Sequence, residues 1–558
     1  MGPKRTTIMS NWVPQRSGFG TISGRLPIIL LLAGILLICF IRIRLLSLPL
    51  ERDEGEYAYF GQLILQGIPP YSMAYNLKLP GTYYSYALLM AVFGQSARGI
   101  HVGLMAVCLG SMLLTYFIAR RLFDDYAGAI AAVVVGLVSA SPTLYGQAAH
   151  ANHFVTFFML TGFYLLLLAS YRHGLLFSVL GGIAMGFAGL CKQPGLLFLL
   201  FGPFVLAILR DNTDRPPGSS PGGAPRSTLL SLLAYGAGLI IPIGLMLLGL
   251  RFAGVFDRFW FWTMVYPQAY GSRIPLTGAW MNFKARLPEV ASVFTVLWVM
   301  AGLGVPALLL HPARAKIRVV VAIFLFFSFL TCIPGFLFRQ HYFLPLVPAL
   351  GIMVGVLIAT INERAGKRLR SAPLVTAALF AVIVASGLIM QRGFFFEPNL
   401  TELCRKLYGG NPFPESLPVA EYIKQNTRED DRVFVYGSEP QLYFYSNRKS
   451  ATGYIYMYDL AYHHPYLGRM QSDMIREVEL NRPRMIVYVS TSMSWLAEPK
   501  VVDPLSDWLA GYLRRNRYVP VFWADINFPR DTVYVSGEMA RTYARKSDNC
   551  MVVFRRGD

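Results

Sequence analysis

Carboxylates are scarce in the first 391 residues, which hold only 11 of the chain's 31 acidic side chains. The model of a soluble domain with an evenly charged surface is excluded by that scarcity. Cysteine is also thin: six occur, with no CxxC pair and no Cys/His cluster of the kind that holds structural zinc. Cys39, Cys108, Cys191 and Cys332 lie in or beside apolar blocks, where a small soft hydrophobe is ordinary. No small-residue cleavage pattern follows the first apolar block, so that block is expected to stay as an anchor. No internal repeat is visible, which argues against the repeated halves of many transporters.

Hydrophobic residues make up 54% of the chain and the mean hydropathy is +0.44. They fall in long blocks, as a multi-pass membrane protein requires. Stretches long enough to span a bilayer centre on residues 27–46, 99–118, 127–145, 153–170, 174–190, 195–209, 228–252, 288–310, 319–336, 343–361 and 373–390, eleven in all. The apolar segment 82–93 is short and rich in tyrosine, and is expected as a helix lying in the interface. The net charge of +20 would suggest nucleic acid in a soluble protein. Here topology explains much of it. With the N-terminus inside, basic clusters such as Arg314, Lys316, Arg318 and Arg364, Lys367, Arg368, Arg370 become cytoplasmic, as the positive-inside rule asks. No nucleic-acid partner is expected.

Past Gln391 the texture changes to 22 basic and 20 acidic residues with β-branched and aromatic runs. Helices near 417–426 and 470–480, with strands at Arg432-Val-Phe-Val-Tyr and Arg484-Met-Ile-Val-Tyr-Val, suggest a small α/β domain. The expected organisation is a membrane domain over 1–391, with a first external loop at 47–98, and an extracytoplasmic domain over 392–558. Cys404 and Cys550 would then meet an oxidising compartment, where they can pair or remain separate thiols.

Four of the six carboxylates expected outside the membrane part cluster in Glu51-Arg-Asp53-Glu54-Gly-Glu56. Such a cluster at the mouth of a membrane bundle is a site hypothesis by default. Asp53-x-x-Glu56 also matches a helix-start capping box, and an aspartate fixed at a helix start is a rigidly held base. Tyr75-Asn-Leu-Lys78-Leu-Pro80 sets one cation among tyrosines, which also reads as an interface anchor with a snorkelling lysine. The external loop 260–283 is aromatic, and Tyr266, Tyr270 and Arg273 are its candidates for closing over a bound ligand. His150 and His153, three apart, can share a helix face as ligands of a divalent metal. Without a carboxylate beside them they equally suit acceptor binding or the interface, and no cofactor is required by the sequence.

The order Leu-Pro-Leu-Glu51-Arg-Asp53-Glu54-Gly-Glu-Tyr57-Ala, then Gly67-x-x-Pro-Tyr71, then Lys78-Leu-Pro80-Gly resembles the first external loop of C-type-fold membrane glycosyltransferases. The pattern is nearest to protein O-mannosyltransferases and aminoarabinose transferases. It extends through Ala119-Arg-Arg-Leu-Phe123, Gly186-x-x-x-Leu190-x-Lys192-x-x-Gly195, Arg339-Gln-His341-Tyr342 and Val433-Phe-Val-Tyr-Gly437. The resemblance implies an α-helical polytopic fold with about eleven transmembrane helices and a C-terminal extracytoplasmic α/β domain. It implies inverting transfer of a monosaccharide from a polyprenyl-phosphate donor to a lipid, glycan or protein of the cell envelope, at a cytoplasmic membrane. By the same resemblance Asp53, with Glu54, is the catalytic pair, while Lys78 and Arg339 bind the donor phosphate. His150, Asn152, His153 and His341 would line the acceptor or sugar. The chain departs from the family where Leu79 replaces a proline, Leu77 stands at a position some members give to a carboxylate, and Asn152 stands where many relatives carry one. These departures argue against a metal-assisted mechanism. Competing functions are a transporter or flippase of lipid-linked sugar, disfavoured by the scarcity of mid-span charge, and a non-catalytic envelope assembly protein.

Overall fold

Apolar periodicity and length dictate helices over most of the first 390 residues, and a computed structural model shows them. It describes residues 22–170, 174–210, 224–271, 274–313, 315–367, 369, 371–495 and 504–557. Arg273, Arg314, Arg368 and Arg370, singled out above, lie outside the described residues, as does the side chain of Tyr270. Every one of the eleven expected spans is at least partly helical. Among the described residues, seven helices are long and apolar enough to cross a bilayer: Arg25–Arg44, Ala97–Leu122, Ala151–Ala169, Gly174–Cys191, Thr228–Phe252, Gln340–Gly366 and Ala372–Met390. Asp125–Ser139, Leu197–Arg210, Thr295–Leu310 and Ala315–Leu330 are shorter, at 14 to 16 residues. Leu276–Ala291 and Thr295–Leu310 pass the same test only as a pair, bent by 112°. The chain is a multi-pass membrane protein.

Between the first two long helices the chain forms two 14-residue helices, Arg52–Leu65 and Pro80–Phe93. The capping expectation is corrected by two residues of register. Glu51, not Asp53, is the N-cap: its backbone is extended, its side chain accepts from the Glu54 N–H at 2.9 Å, and the Glu54 carboxylate accepts from the Glu51 N–H at 3.4 Å. The box is therefore Glu51-x-x-Glu54, and the residue just before it is tied to the C-terminal part, where the Leu50 N–H donates to the Tyr445 hydroxyl at 2.8 Å. Asp53 and Glu56 are left free of capping duty.

The C-terminal α/β domain carries six strands: β1 (Arg432–Tyr436), β2 (Lys449–Ser450), β3 (Met485–Val489), β4 (Tyr518–Asp525), β5 (Val533–Ser536) and β6 (Cys550–Arg556). They form one mixed sheet in the order β2-β1-β3-β6-β4-β5, parallel across β2, β1 and β3 and antiparallel beyond. Helices Phe413–Gln425 and Leu467–Asn481 lie close to their expected places. Cys404 and Cys550 are both buried free thiols.

This domain docks directly on the helix Arg52–Leu65. At Gly55 a Cβ would stand 2.6 Å from the Gln441 backbone nitrogen, so glycine is what lets that helix meet the short helix Gln441–Ser446. Arg52 reaches the Ser438 carbonyl, the Glu439 carboxylate and, at 3.1 Å, Asn411. The Tyr59 hydroxyl accepts from the Ser450 N–H at 2.8 Å, and the Tyr75 N–H donates to the Gly453 carbonyl at 2.7 Å.

Candidate active site

Lys78 is held between two carboxylates on successive turns of one helix. Its Nζ lies 3.1 Å from Asp53 Oδ1 and 3.2 Å from Glu56 Oε2, with the Tyr57 ring centroid 4.6 Å away. The spacing of Asp53 and Glu56, i and i+3, puts both on the helix face turned to the lysine. Backbone bonds fix the lysine's own segment: Tyr71 donates to the Lys78 carbonyl at 2.6 Å and Gln193 to the Leu77 carbonyl at 2.6 Å. Gly81 is pressed against the end of the helix Gly174–Cys191, where a Cβ would come within 2.5 Å of the Leu190 carbonyl. Glu56 is fully buried and takes a second bond, from the Tyr83 hydroxyl at 2.8 Å. Asp53 keeps 22% of its side chain exposed, so of the two it is the one a substrate can reach.

Burial alone would raise the pKa of Asp53, but Lys78, helped by Arg339, holds it well below the usual carboxylate range. Asp53 is therefore ionised at any physiological pH. For Glu56, burial outweighs Lys78 and carries its carboxyl up to about 7. The Tyr456 hydroxyl of the C-terminal domain stands 3.4 Å from Asp53 Oδ1 and 3.1 Å from the Arg52 carbonyl.

Glu54 faces away from this group. Its Oε1 accepts from the Ala149 N–H at 2.7 Å and lies 3.1 Å from His101 Nε2. It ties the helix start to the segment before Ala151–Ala169, so the geometry gives it a tethering task rather than a place beside the lysine. Glu54→Gln is expected to lower stability by about 1–3 kcal/mol, read as a fall in the thermal unfolding midpoint in detergent, the cost of weakening a buried hydrogen bond. Donor KM in the surviving fraction should be unchanged, and a KM shift without a stability change would contradict the assignment.

Of the histidines, the structure groups His150 with His341, not with His153. The two rings stack at 4.3 Å with a 13° interplanar angle, although the residues are far apart in sequence. His150 Nδ1 stands 3.9 Å from Asp53 Oδ2 and 3.9 Å from Glu51 Oε1. Burial lowers the His150 pKa to about 4 despite Asp53 and Glu54, so the ring is neutral. His153 turns aside to Cys108, with Nδ1 3.6 Å from Sγ, and Asn152 is used to hold the His341 carbonyl. One ligand atom each from Asp53, His150 and His341 fall within 4.8 Å of one another. Both ring nitrogens of His150 and Nδ1 of His341 are buried without a partner, so this trio fits a divalent cation, whereas the pair His150 and His153 does not.

Two further cations complete the surroundings. Arg339 is exposed and Lys192 half-buried, and both act electrostatically on Asp53 or on one another. Lys192 lies 4.2 Å above the Tyr342 ring, and burial, reinforced by Lys78, lowers its pKa to about 7. In the sequence Lys192 stands out only as part of the family pattern. The neighbouring Pro194-Gly195 turn, which ends the helix before the lysine, was the signal that it lines the site. Tyr266 is not open to a ligand: it is fully buried, donating to Asp459 at 2.7 Å and meeting the Tyr462 hydroxyl at 2.5 Å, which latches its segment to the C-terminal domain.

The arrangement has the fold of the C-type integral membrane glycosyltransferases. ArnT from Cupriavidus metallidurans, crystallised with undecaprenyl phosphate, superposes with a TM-score of 0.52 at 17% identity over 94% of this chain and 97% of that one. The oligosaccharyltransferase of Archaeoglobus fulgidus gives 0.50 at 13% identity, over 92% and 74%. Residues 78–215 match the family model described as dolichyl-phosphate-mannose-protein mannosyltransferase. The undecaprenyl phosphate-alpha-4-amino-4-deoxy-L-arabinose arabinosyl transferase of Pseudomonas aeruginosa (strain UCBPP-PA14) is 30% identical over 151 residues, 25% of this chain. That match spans only 27% of the curated relative's length.

Proposed function

We propose that the chain is an integral membrane glycosyltransferase that moves a monosaccharide from a polyprenyl-phosphate donor to a hydroxyl of a cell-envelope acceptor. The observation that carries this is Lys78 clamped 3.1 Å from Asp53 and 3.2 Å from Glu56, with Lys192 and Arg339 close enough to act on the same carboxylate or on each other. A donor phosphate has three cations to approach. As it draws the charge of Lys78, Asp53 loses the partner that depresses its basicity and becomes able to take a proton. The acceptor oxygen then attacks the anomeric carbon, the bond from that carbon to the phosphate oxygen breaks, and the carrier phosphate leaves with the electron pair beside Lys78. Inversion is supported because Glu56 is buried behind the lysine and Glu51 and Glu54 are committed to the cap and to Ala149, leaving one accessible carboxylate and no second as nucleophile. A divalent cation on Asp53, His150 and His341 would add Lewis-acid polarisation of a bound oxygen.

The membrane domain is assigned to 1–391 and the α/β domain to 392–558, with the N-terminus cytoplasmic and the α/β domain outside a cytoplasmic membrane. Protease added to intact spheroplasts should remove the α/β domain, and full protection would refute this orientation. The activity itself is tested by incubating membranes with a panel of radiolabelled polyprenyl-phosphate sugars and following release of free carrier phosphate. Absence of release from every donor would sink it.

Lys192 gives the donor interaction a pH signature. With its pKa lowered to about 7, its charge is present below that value and lost as the pH rises through it. Donor KM should therefore increase between about pH 6 and 8, and Lys192→Arg, which stays charged, should flatten that increase.

A further inference from the structure

A second concavity lies at the seam between the membrane part and the α/β domain, with a volume of about 410 Å³. One wall is an aromatic corner. Tyr75 and Trp262 stack with centroids 5.7 Å apart and planes 20° apart, and Tyr454 stands edge-on to both, at 5.3 and 5.9 Å. The opposite wall is one face of the helix Leu467–Asn481, bearing Arg469, Asp473 and Arg476. Arg469 and Arg476 are each 75% exposed and lie 3.7 and 2.8 Å from the Asp473 carboxylate.

We propose that this cavity is a subsite for a sugar ring in the non-reacting part of the acceptor, an inference that rests on the glycosyltransferase reading and narrows its acceptor to one bearing a glycan. Trp262 and Tyr454 are buried and back the half-buried rings of Tyr75 and Phe261, which can meet the CH-rich side of a sugar ring, while carboxylates and guanidinium groups at the rim accept from and donate to its hydroxyls. The lining does not suit an anion: Arg258, Arg469 and Arg476 are matched by Asp257, Asp473 and Glu477. A peptide strand is disfavoured as well, because it would need free backbone edges. Here the Tyr75 N–H and Gly453 carbonyl are bonded to each other at 2.7 Å, and the Gly453 N–H donates to Glu477 at 2.8 Å. The aromatic wall also lies on segments that run on to the reaction centre. Tyr75 is three residues before Lys78, and Tyr454 is two before Tyr456, whose hydroxyl is 3.4 Å from Asp53. A glycan reacting at Asp53 would extend along these segments to reach the cavity.

The test uses the full chain in nanodiscs, saturation-transfer NMR with a panel of neutral and amino-sugar oligosaccharides, and a parallel series of Ser/Thr-containing peptides. The double variant Arg469→Ala, Asp473→Ala removes an exposed arginine and a half-buried aspartate at the rim, where ion pairs contribute little to stability. At least one oligosaccharide should bind the native chain, and its affinity should fall tenfold or more in the double variant. Release of carrier phosphate from the donor into water, measured without acceptor, should be unchanged by the substitutions. The proposal is overturned if no oligosaccharide binds, if the variant binds equally well, or if peptides bind and lose affinity in its place. Failure of the native chain to release carrier phosphate would instead strike the glycosyltransferase reading, and leaves the binding comparison to decide the subsite by itself.

Discussion

Asp53→Asn is expected to cut turnover by about 10²–10⁴-fold, the usual contribution of a general base, with yield and thermal stability close to native. The N-cap of its helix is Glu51, so the substitution removes no capping bond. Asparagine keeps the shape and an oxygen toward Lys78 and Tyr456, while the basicity is gone. Stability should not suffer from the lost ion pair beyond about 1 kcal/mol, because Asp53 is partly exposed and Lys78 retains Glu56. The measurement is single-turnover release of carrier phosphate together with a melting curve. Full turnover in well-folded protein would remove Asp53 as base, and a loss explained by unfolding would show in the melt.

Lys78→Ala is the second large effect. A preorganised cation facing a leaving phosphate is worth roughly 10²–10³-fold in kcat, and the phosphate is present before as well as during the reaction, so donor KM should rise too. The same substitution leaves Glu56 buried without its cation. Since burial already raises Glu56 to about 7, removing the lysine raises it further and the carboxyl becomes neutral, which limits the folding penalty. Steady-state kinetics over a donor range would check this: a change in kcat alone, with KM intact, would mean that Lys78 does not hold the ground-state phosphate.

The fold was largely legible because long apolar blocks and basic clusters are local signals. Asp53 and Lys78 stood out for a related reason: a charge beside a membrane segment is costly and therefore conspicuous. Other features depended on contacts between distant parts of the chain. The capping register slipped by two residues, and the residue just before the observed cap, Leu50, is tied to Tyr445 in the α/β domain. His150 was paired with His153 on helical spacing, whereas the ring that stacks on it belongs to His341. Tyr266 read as a ligand from its aromatic loop, but its partners Asp459 and Tyr462 were out of sight in another domain. Glu56 was read as half of a capping box, and only the folded register reveals it as the second clamp on Lys78.

The close seat of Gly55 on Gln441, with Arg52 bonded to Ser438 and Glu439, bears on how such a chain can be re-engineered. The α/β domain is not a detachable module hung on a finished enzyme. A hybrid that exchanged it for the domain of a relative would inherit new walls around Asp53 unless residues 438–456 travelled with the membrane part. The workable crossover points therefore lie beyond that stretch, toward the edge strand β5, away from the helix that carries Asp53 and Glu56.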